Sequence, residues 1–250
     1  MLKFGFDQKA LSIAKLSAHA RTPLYRNGYI LLLSGIISAG LGMVYWFLAA
    51  RLYAPGTIGL NSALLSAVMF LSGASQLGLN SVLVYFIPRA KQGTGLLVLQ
   101  SYLVSLFVAG VAGLLFGWGI GIWAPTLRFV VELPLLFLVF ILSIMTWCIF
   151  TLQDSVLTGL RQTVWVPVEN SLVALIKIGL LLVFAGSFQQ YGIFAAWMIP
   201  TVISLLPVNW LIFGRLIPQR EPKGQGTSAT TSLPEMTRHM FGNYVGSLFF

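Results

Sequence analysis

The sequence predicts an all-α membrane protein with six membrane-spanning helices. Of its 250 residues 57% are hydrophobic and only 8% are charged, whereas a soluble domain carries about 25% charged residues. The chain also contains six apolar runs that approach or exceed the roughly 20 residues needed to cross the hydrocarbon core of a bilayer. Its basic residues collect in alternate connecting segments, as positive-inside sorting predicts. These three observations exclude a soluble domain.

The chain begins with a basic segment, residues 1–26, that precedes the first predicted span at residues 28–50. The run from Asn27 to Ala50 has 24 uncharged residues, which is longer than the core of about 7–15 residues in a secretory signal. We therefore interpret it as a retained membrane helix. Residues 1–26 form either a short amphipathic helix on the membrane surface or a disordered basic tail.

The second predicted span begins near Thr57 and ends by Pro88. The uncharged stretch from Leu52 to Pro88 has 37 residues, too few for two spans and the turn between them. It therefore predicts one long or bent helix, and Gly73 and Gly78 are the candidate bends.

Four further spans are predicted at residues 96–118, 134–155, 169–186 and 192–213. Pro134 suits the first turn of its helix, because a proline there loses no intrahelical hydrogen bond. The polar segment 186–192 supplies a tight turn between the last two spans. Pro200 and Pro207 lie on one face of the last span and predict a kink.

The charge distribution predicts a cytoplasmic N-terminus and thus a membrane lobe over residues 27–214. With that orientation the cytoplasmic segments hold twelve basic residues and the outer loops hold only Arg51 and Arg128. This bias explains the net charge of +9 without nucleic acid. An aromatic belt at the outer boundary is also predicted. Its members are Tyr45, Trp46, Tyr53, Trp118, Trp123, Tyr191 and Trp197.

The chain after the sixth span is predicted to be a flexible cytoplasmic linker, residues 215–239, rich in Pro, Gly, Ser and Thr. It turns apolar again at Met240, so residues 240–250 predict the truncated start of a seventh helix. Eleven residues are too few to span,. The expectation is a fragment or a half-sized version of a longer transporter.

Lys177 is the first candidate functional residue, because it interrupts the apolar stretch 171–184. A lysine near the centre of a membrane helix costs roughly 2.5–3.5 kcal/mol, so such a residue usually faces other helices or a watery cavity. The alternative is snorkelling, in which the long stem lifts the ammonium to the nearer interface. Asn170 lies seven residues earlier and shares the same helix face.

Two carboxylates lie near the predicted start of that helix. Asp154 ends the fourth span and could pair with Lys177 or Arg161 as a proton or cation relay, or it could be a boundary carboxylate hydrated at the headgroups. Glu169 is placed at the helix entry, where it would complement the positive end of the helix dipole.

The second span carries a polar stripe formed by Ser72, Gln76 and Asn80, spaced four residues apart. Such amides could hydrogen-bond sugar hydroxyls in a cavity, or they could join two helices for about 0.6 kcal/mol each.

No enzymatic or metal-binding pattern is present in the sequence, so the prediction is a protein without catalytic residues, metal or cofactor. The lone Cys148 has no partner for a disulfide, and the two histidines, His19 and His239, are far apart,.

The segments Asn27-Gly-Tyr, Ala49-Ala-Arg-Leu-Tyr-Ala-Pro-Gly and Gly73-Ala-Ser-Gln-Leu-Gly-Leu-Asn80 resemble those of polysaccharide or O-antigen flippases. These proteins form part of the multidrug/oligosaccharidyl-lipid/polysaccharide (MOP) exporter superfamily. The resemblance implies a MATE-like transporter with two six-helix lobes and alternating access. The chain departs from this pattern because it stops after one lobe, so the second lobe would be missing or supplied by dimerisation.

The resemblance also implies a substrate and a location. The substrate would be an undecaprenyl-pyrophosphate-linked glycan for lipopolysaccharide or other polysaccharide biosynthesis, moved across the bacterial cytoplasmic (inner) membrane. Lys177 and Arg51 would contact the pyrophosphate, and Gln76, Asn80 and Asn170 would contact sugars. The rival interpretations are a drug or cation antiporter, and a non-transporting scaffold of a glycan-assembly complex.

Overall fold

A computed structural model describes residues 23–90 and 92–220, without the side chains of residues 23–27 and 29–31. Three predicted features lie wholly or mostly outside the described residues: the basic segment 1–26, the linker 215–239, and the start of a seventh helix at 240–250. The described parts of the first two, residues 23–26 and 215–220, are helical, so the predicted boundaries at 26 and 215 are wrong.

The described residues are helical and contain no strand. These residues form nine α-helices: α1 Pro23–Leu52, α2 Pro55–Ser75, α3 Leu79–Phe86, α4 Thr94–Trp123, α5 Phe129–Glu132, α6 Pro134–Gly159, α7 Trp165–Ser187, α8 Gly192–Leu211 and α9 Ile217–Arg220. A 3₁₀ turn, Pro125–Leu127, precedes α5, and a π-helical turn, Ile212–Leu216, joins α8 to α9. Six segments of this part of the chain are long and apolar enough to cross a membrane, namely α1, α2, α4, α6, α7 and the α8–α9 unit. The prediction of an all-α fold with six helices long and apolar enough to span a membrane is confirmed for the described residues.

The second predicted span is broken into α2 and α3. Leu77 has φ 49° and Gly78 has φ 76°, and this left-handed pair ends one helix before the next begins at Leu79. The prediction of a bend at Gly78 is therefore correct. The same prediction at Gly73 is wrong, because Gly73 lies within the regular part of α2.

Helix α6 occupies the centre of the bundle, where it packs against α2, α3, α4 and α8. Helix α1 packs chiefly on α7, and α7 also packs on α8. Close approach of α6 to α3 depends on Gly159, because a Cβ there would lie 2.9 Å from the Leu83 carbonyl oxygen. Helix α8 runs through Pro200 and Pro207, and the kink expected there stays a prediction.

Polar anchors at both ends of the bundle tie distant segments together. At the end where α3 and α6 stop, Arg220 Nη2 donates to the Pro88 carbonyl at 2.9 Å. At the opposite end, Tyr53 Oη donates to the Leu181 carbonyl at 2.9 Å. We call the first the basic end, because it holds Arg89, Arg161, Arg215 and Arg220 among the described residues. The cytoplasmic placement of this end stays a prediction.

Candidate functional site

Lys177 lies inside the bundle on aromatic faces. Only 8% of its surface is exposed, and its Nζ atom is 4.0 Å from the ring centroid of Trp197 and 5.2 Å from that of Trp147. Both distances fall within the roughly 6 Å range of a cation–π interaction. Tyr45 packs edge-on against Trp197, with centroids 5.2 Å apart. We call Tyr45, Trp147 and Trp197 the aromatic box.

Three different helices, α1, α6 and α8, build the aromatic box around a lysine of α7. Tyr45 is fixed there because its hydroxyl donates to the Ile193 carbonyl at 2.8 Å. The prediction that Tyr45 and Trp197 belong to an outer aromatic belt is therefore wrong. Trp118 and Trp123 of the same predicted belt are exposed, by 88% and 62%, as residues at a lipid interface would be.

A partly open cavity of about 180 Å³ adjoins the lysine. Its lining combines apolar side chains with polar ones and includes Ser38, Gly42, Tyr45, Trp147, Asn170 and Lys177. The cavity has room for several water molecules, since one occupies about 30 Å³ in the liquid. The structure therefore favours a cavity-facing lysine over snorkelling, and it brings Asn170 and Lys177 to the same space.

Asp154 does not pair with Lys177 or Arg161, so the first of the two alternatives drawn from the sequence is wrong. Its Oδ2 atom accepts a hydrogen bond from Asn170 Nδ2 at 3.1 Å. Within the described residues the one ion pair is between Arg128 and Glu132, at 3.8 Å on the exposed surface. Asp154 faces the first turns of α7, whereas Lys177 lies roughly 11 Å further along that helix.

Glu169 belongs to the helix interior and was missed as a site residue. Helix α7 begins at Trp165, before the predicted start, so Glu169 is past the capping positions and is only 6% exposed. Both carboxylate oxygens are buried, and neither accepts a hydrogen bond from the described residues. Ser204 lies nearby, but its hydroxyl donates to the Thr201 carbonyl at 2.9 Å.

Tyr102 of α4 reaches the same region, within electrostatic range of both Glu169 and Asp154. Its hydroxyl is buried without a hydrogen-bond partner among the described residues, as is Asp154 Oδ1. We call Tyr102, Asp154 and Glu169 the carboxylate cluster. No pattern in the sequence points to Tyr102, because its proximity to the other two depends on how α4, α6 and α7 pack.

Gln76 and Asn80 lie away from the lysine cavity. Gln76 Nε2 donates to Thr151 Oγ1 at 2.5 Å, and Gln76 Oε1 accepts from Asn80 Nδ2. Gln76 thus joins the α2–α3 break to α6, which is the interhelical role left open by the sequence. Asn80 lines a separate open groove of about 440 Å³ at the basic end, together with Ser81, Arg89 and Ser155.

Arg51 lies in the last turn of α1, exposed, with its guanidinium carbon 5.3 Å from the Phe47 ring centroid. It does not line the cavity of Lys177. The cavity-lining residues of α1 end at Tyr45, and Arg51 is roughly 9 Å beyond along the axis. The structure does not bring Arg51 and Lys177 together.

No cluster of three or more His, Cys, Asp or Glu side chains able to hold a metal occurs in the described part of the chain. No protein-family model, curated protein or solved structure matches this chain.

Proposed function

We propose that this protein is a flippase that moves a lipid-linked oligosaccharide across the bacterial cytoplasmic membrane by alternating access. The observation that supports this proposal is the position of Lys177, a buried cation beside a cavity with no carboxylate bound to it among the described residues. An anionic substrate group entering the cavity would supply the missing counter-charge.

The charges at the cavity favour an anionic ligand. Burying a lysine in a membrane costs roughly 2.5–3.5 kcal/mol, and each of its two cation–π contacts returns about 0.5–2 kcal/mol. The two rings make the buried ammonium tolerable, but they carry no net negative charge, which an anionic ligand would supply. Trp197, which also lines the cavity, has a buried Nε1–H without an acceptor in the described region. It offers a second donor for phosphate oxygens, and Asn170 and Ser38 offer polar contacts for sugar hydroxyls.

The size of the cavity limits what it can hold in this arrangement. About 180 Å³ is below the roughly 300–1,000 Å³ of typical ligand pockets, so a phosphate group fits and a glycan does not. The proposal therefore includes widening of the cavity during transport. It also includes a second six-helix lobe, from further sequence or a second copy, that encloses the glycan.

The test is transport of a fluorescent polyprenyl-pyrophosphate-linked glycan in vesicles reconstituted with the full chain and any second lobe that it requires. We expect Lys177→Ala to abolish transport while the protein level and fold are retained. Arg128→Gln is the matched control, because it removes an exposed cation far from the cavity. Unchanged transport by Lys177→Ala would remove Lys177 from the mechanism.

A second candidate function is a cation or drug antiporter, and the carboxylate cluster favours it. A transporter of cations suits an acidic interior, and besides the basic Lys177 the described bundle buries Glu169 and an oxygen of Asp154. Flux of a cationic dye discriminates the two functions. An antiporter would lose dye flux in Glu169→Gln and keep it in Lys177→Ala.

A further inference from the structure

We propose that a groove at the basic end of the bundle binds the phosphate head group of an anionic membrane phospholipid. The groove has a volume of about 450 Å³ and lies where the segment after α3, the α6–α7 turn and α9 meet. We call it the arginine groove. It is separate from the cavity of Lys177, so this proposal goes beyond the proposed function. Its polar lining consists of Arg161, Gln162, Gln219 and Arg220, and its apolar wall includes Pro88 and Leu216.

Arg161 occupies a backbone position that arginine rarely adopts. Its φ is 61°, in the left-handed region. Its N–H donates to the Thr158 carbonyl at 3.0 Å, and the Gln162 N–H donates to the Leu157 carbonyl at 2.9 Å. These two hydrogen bonds close α6 in the Schellman arrangement, in which glycine usually takes the position that Arg161 has here. Residues strained in this way cluster at ligand-binding sites, so the turn by itself does not account for an arginine.

Arg220 is fixed against the wall of the groove by backbone carbonyls. Its Nη2 atom donates to the Pro88 carbonyl at 2.9 Å, and its Nη1 atom lies 3.5 Å from the Gly159 carbonyl oxygen. These contacts use only part of the donor capacity of a guanidinium, which has further N–H groups for a ligand. Because the cation is already held in place, less entropy is lost when a ligand binds.

The two arginines of the groove have no counter-charge among the described residues. No carboxylate lines the groove, and the ion pair that this part of the chain forms, Arg128 with Glu132, lies at the opposite end. A planar guanidinium binds phosphate oxygens through two parallel hydrogen bonds, and the amides of Gln162 and Gln219 supply further donors. The amine of a zwitterionic head group would add a third cation here, so the groove favours an anionic head group.

The position of the groove favours a lipid over a phosphate ion free in solution. Helix α6 and the α8–α9 unit are long and apolar enough to cross a membrane, and both end beside the groove. Val164 and Trp165, directly after the α6–α7 turn, are exposed by 49% and 44%. An exposed tryptophan at the end of a span is typical of the lipid interface. Basic pockets between membrane helices at this depth bind phosphate-bearing head groups, and Leu216 offers an apolar contact for the rest of the lipid.

Native mass spectrometry of the full chain in an uncharged detergent tests the site. The protein is titrated with phosphatidylglycerol, with phosphatidylcholine and with inorganic phosphate. We expect the wild type to bind phosphatidylglycerol more tightly than the other two. Arg161→Gly should weaken this binding about tenfold, which corresponds to the loss of one hydrogen bond to a charged group. Glycine also relieves the left-handed strain, so the lipid-free variant should unfold at or above the temperature of the wild type.

Arg215→Gln is the matched control. Arg215 is an exposed arginine at the same end of the bundle and does not line the groove, so its loss changes the net charge equally and should leave the affinity unchanged. Arg161→Asn is a second neutral variant, because asparagine also tolerates the left-handed region. It should weaken lipid binding as Arg161→Gly does, which covers the case in which the glycine variant fails to fold.

Four results would overturn the proposal. Equal affinity of the wild type for the two lipids would show no selection for an anionic head group. Equal weakening by Arg161→Gly and Arg215→Gln would show a diffuse attraction to the whole basic end. Inorganic phosphate that binds as tightly as phosphatidylglycerol would make this a site for a free anion. Unchanged lipid binding with lower stability in both Arg161 variants would limit Arg161 to complementing the C-terminal end of α6. Neither measurement involves transport, so the outcome does not depend on the proposed function.

Discussion

At the scale of single residues, one polar side chain that the sequence analysis does not single out makes three hydrogen bonds in the described bundle. Asn61 is fully buried. Its Nδ2 donates to the Thr57 and Gln190 carbonyls at 2.8 and 2.9 Å, and its Oδ1 accepts from Phe194 N–H at 3.0 Å. It therefore fixes α2 to the turn that joins α7 and α8. The sequence does not reveal this role, because an asparagine near the end of a membrane helix can face either the lipid headgroups or another segment of the protein.

Asn61→Ala should destabilise the protein by about 1–3 kcal/mol, because it leaves buried backbone groups unpaired. Reversible unfolding in mixed micelles gives the free energy. The neighbouring Ser62→Ala is the control, since its hydroxyl bonds only to the Gly59 carbonyl one turn away and should change stability by less than about 0.5 kcal/mol. Equal stability of the two variants would contradict the structural role of Asn61.

The candidate site was predictable only where a single helix determines it. Asn170 and Lys177 are seven residues apart, so helix periodicity alone places them on one face, and both line the cavity. The aromatic box joins residues of three helices, whose mutual packing no sequence spacing reports. Glu169 is placed wrongly by the sequence for another reason. The polar residues 169–171 look like a helix entry, but the helix starts at Trp165 and they lie in its second turn.

At the scale of elements, the break between α2 and α3 shows what a glycine can and cannot predict. The uncharged stretch is too short for two spans, and it contains two glycines that are candidates for the bend. Only the backbone path decides between them, because a glycine in a helix and one with positive φ are identical in sequence. Gly78 has φ 76°, whereas Gly73 is helical, and a Cβ added there would meet no atom within 4 Å.

Alanine at these two glycines should therefore have opposite effects. Gly78→Ala forces a side chain into the left-handed region at a cost of about 1–2 kcal/mol. Gly73→Ala should stabilise by up to about 1 kcal/mol, since alanine is the better helix former and has open space there. Thermal unfolding of the two variants in the same detergent measures the difference. A loss of stability in Gly73→Ala with none in Gly78→Ala would place the bend at Gly73 after all.

At the scale of the whole molecule, the number of spans was predictable and their arrangement was not. Length and hydropathy define six spans, but helices that are apolar on nearly every face carry no periodic signal of which side packs inward. The central position of α6 thus emerges only from the structure. The charge distribution, in contrast, is informative in the sequence, because basic residues flank the spans. Four arginines lie at one end of the bundle, as the positive-inside rule predicts: Arg89, Arg161, Arg215 and Arg220.

The orientation that this pattern predicts can be tested with two cysteines. Gln162 is exposed at the basic end and Gln189 is exposed at the opposite end. The native Cys148 is fully buried, so Cys148→Ser gives a suitable background. In intact cells a membrane-impermeant maleimide should label Gln189→Cys, and it should label Gln162→Cys only after permeabilisation. The reverse pattern would place the arginine-rich end outside, away from the anionic cytoplasmic leaflet that attracts basic residues. It would contradict the predicted orientation.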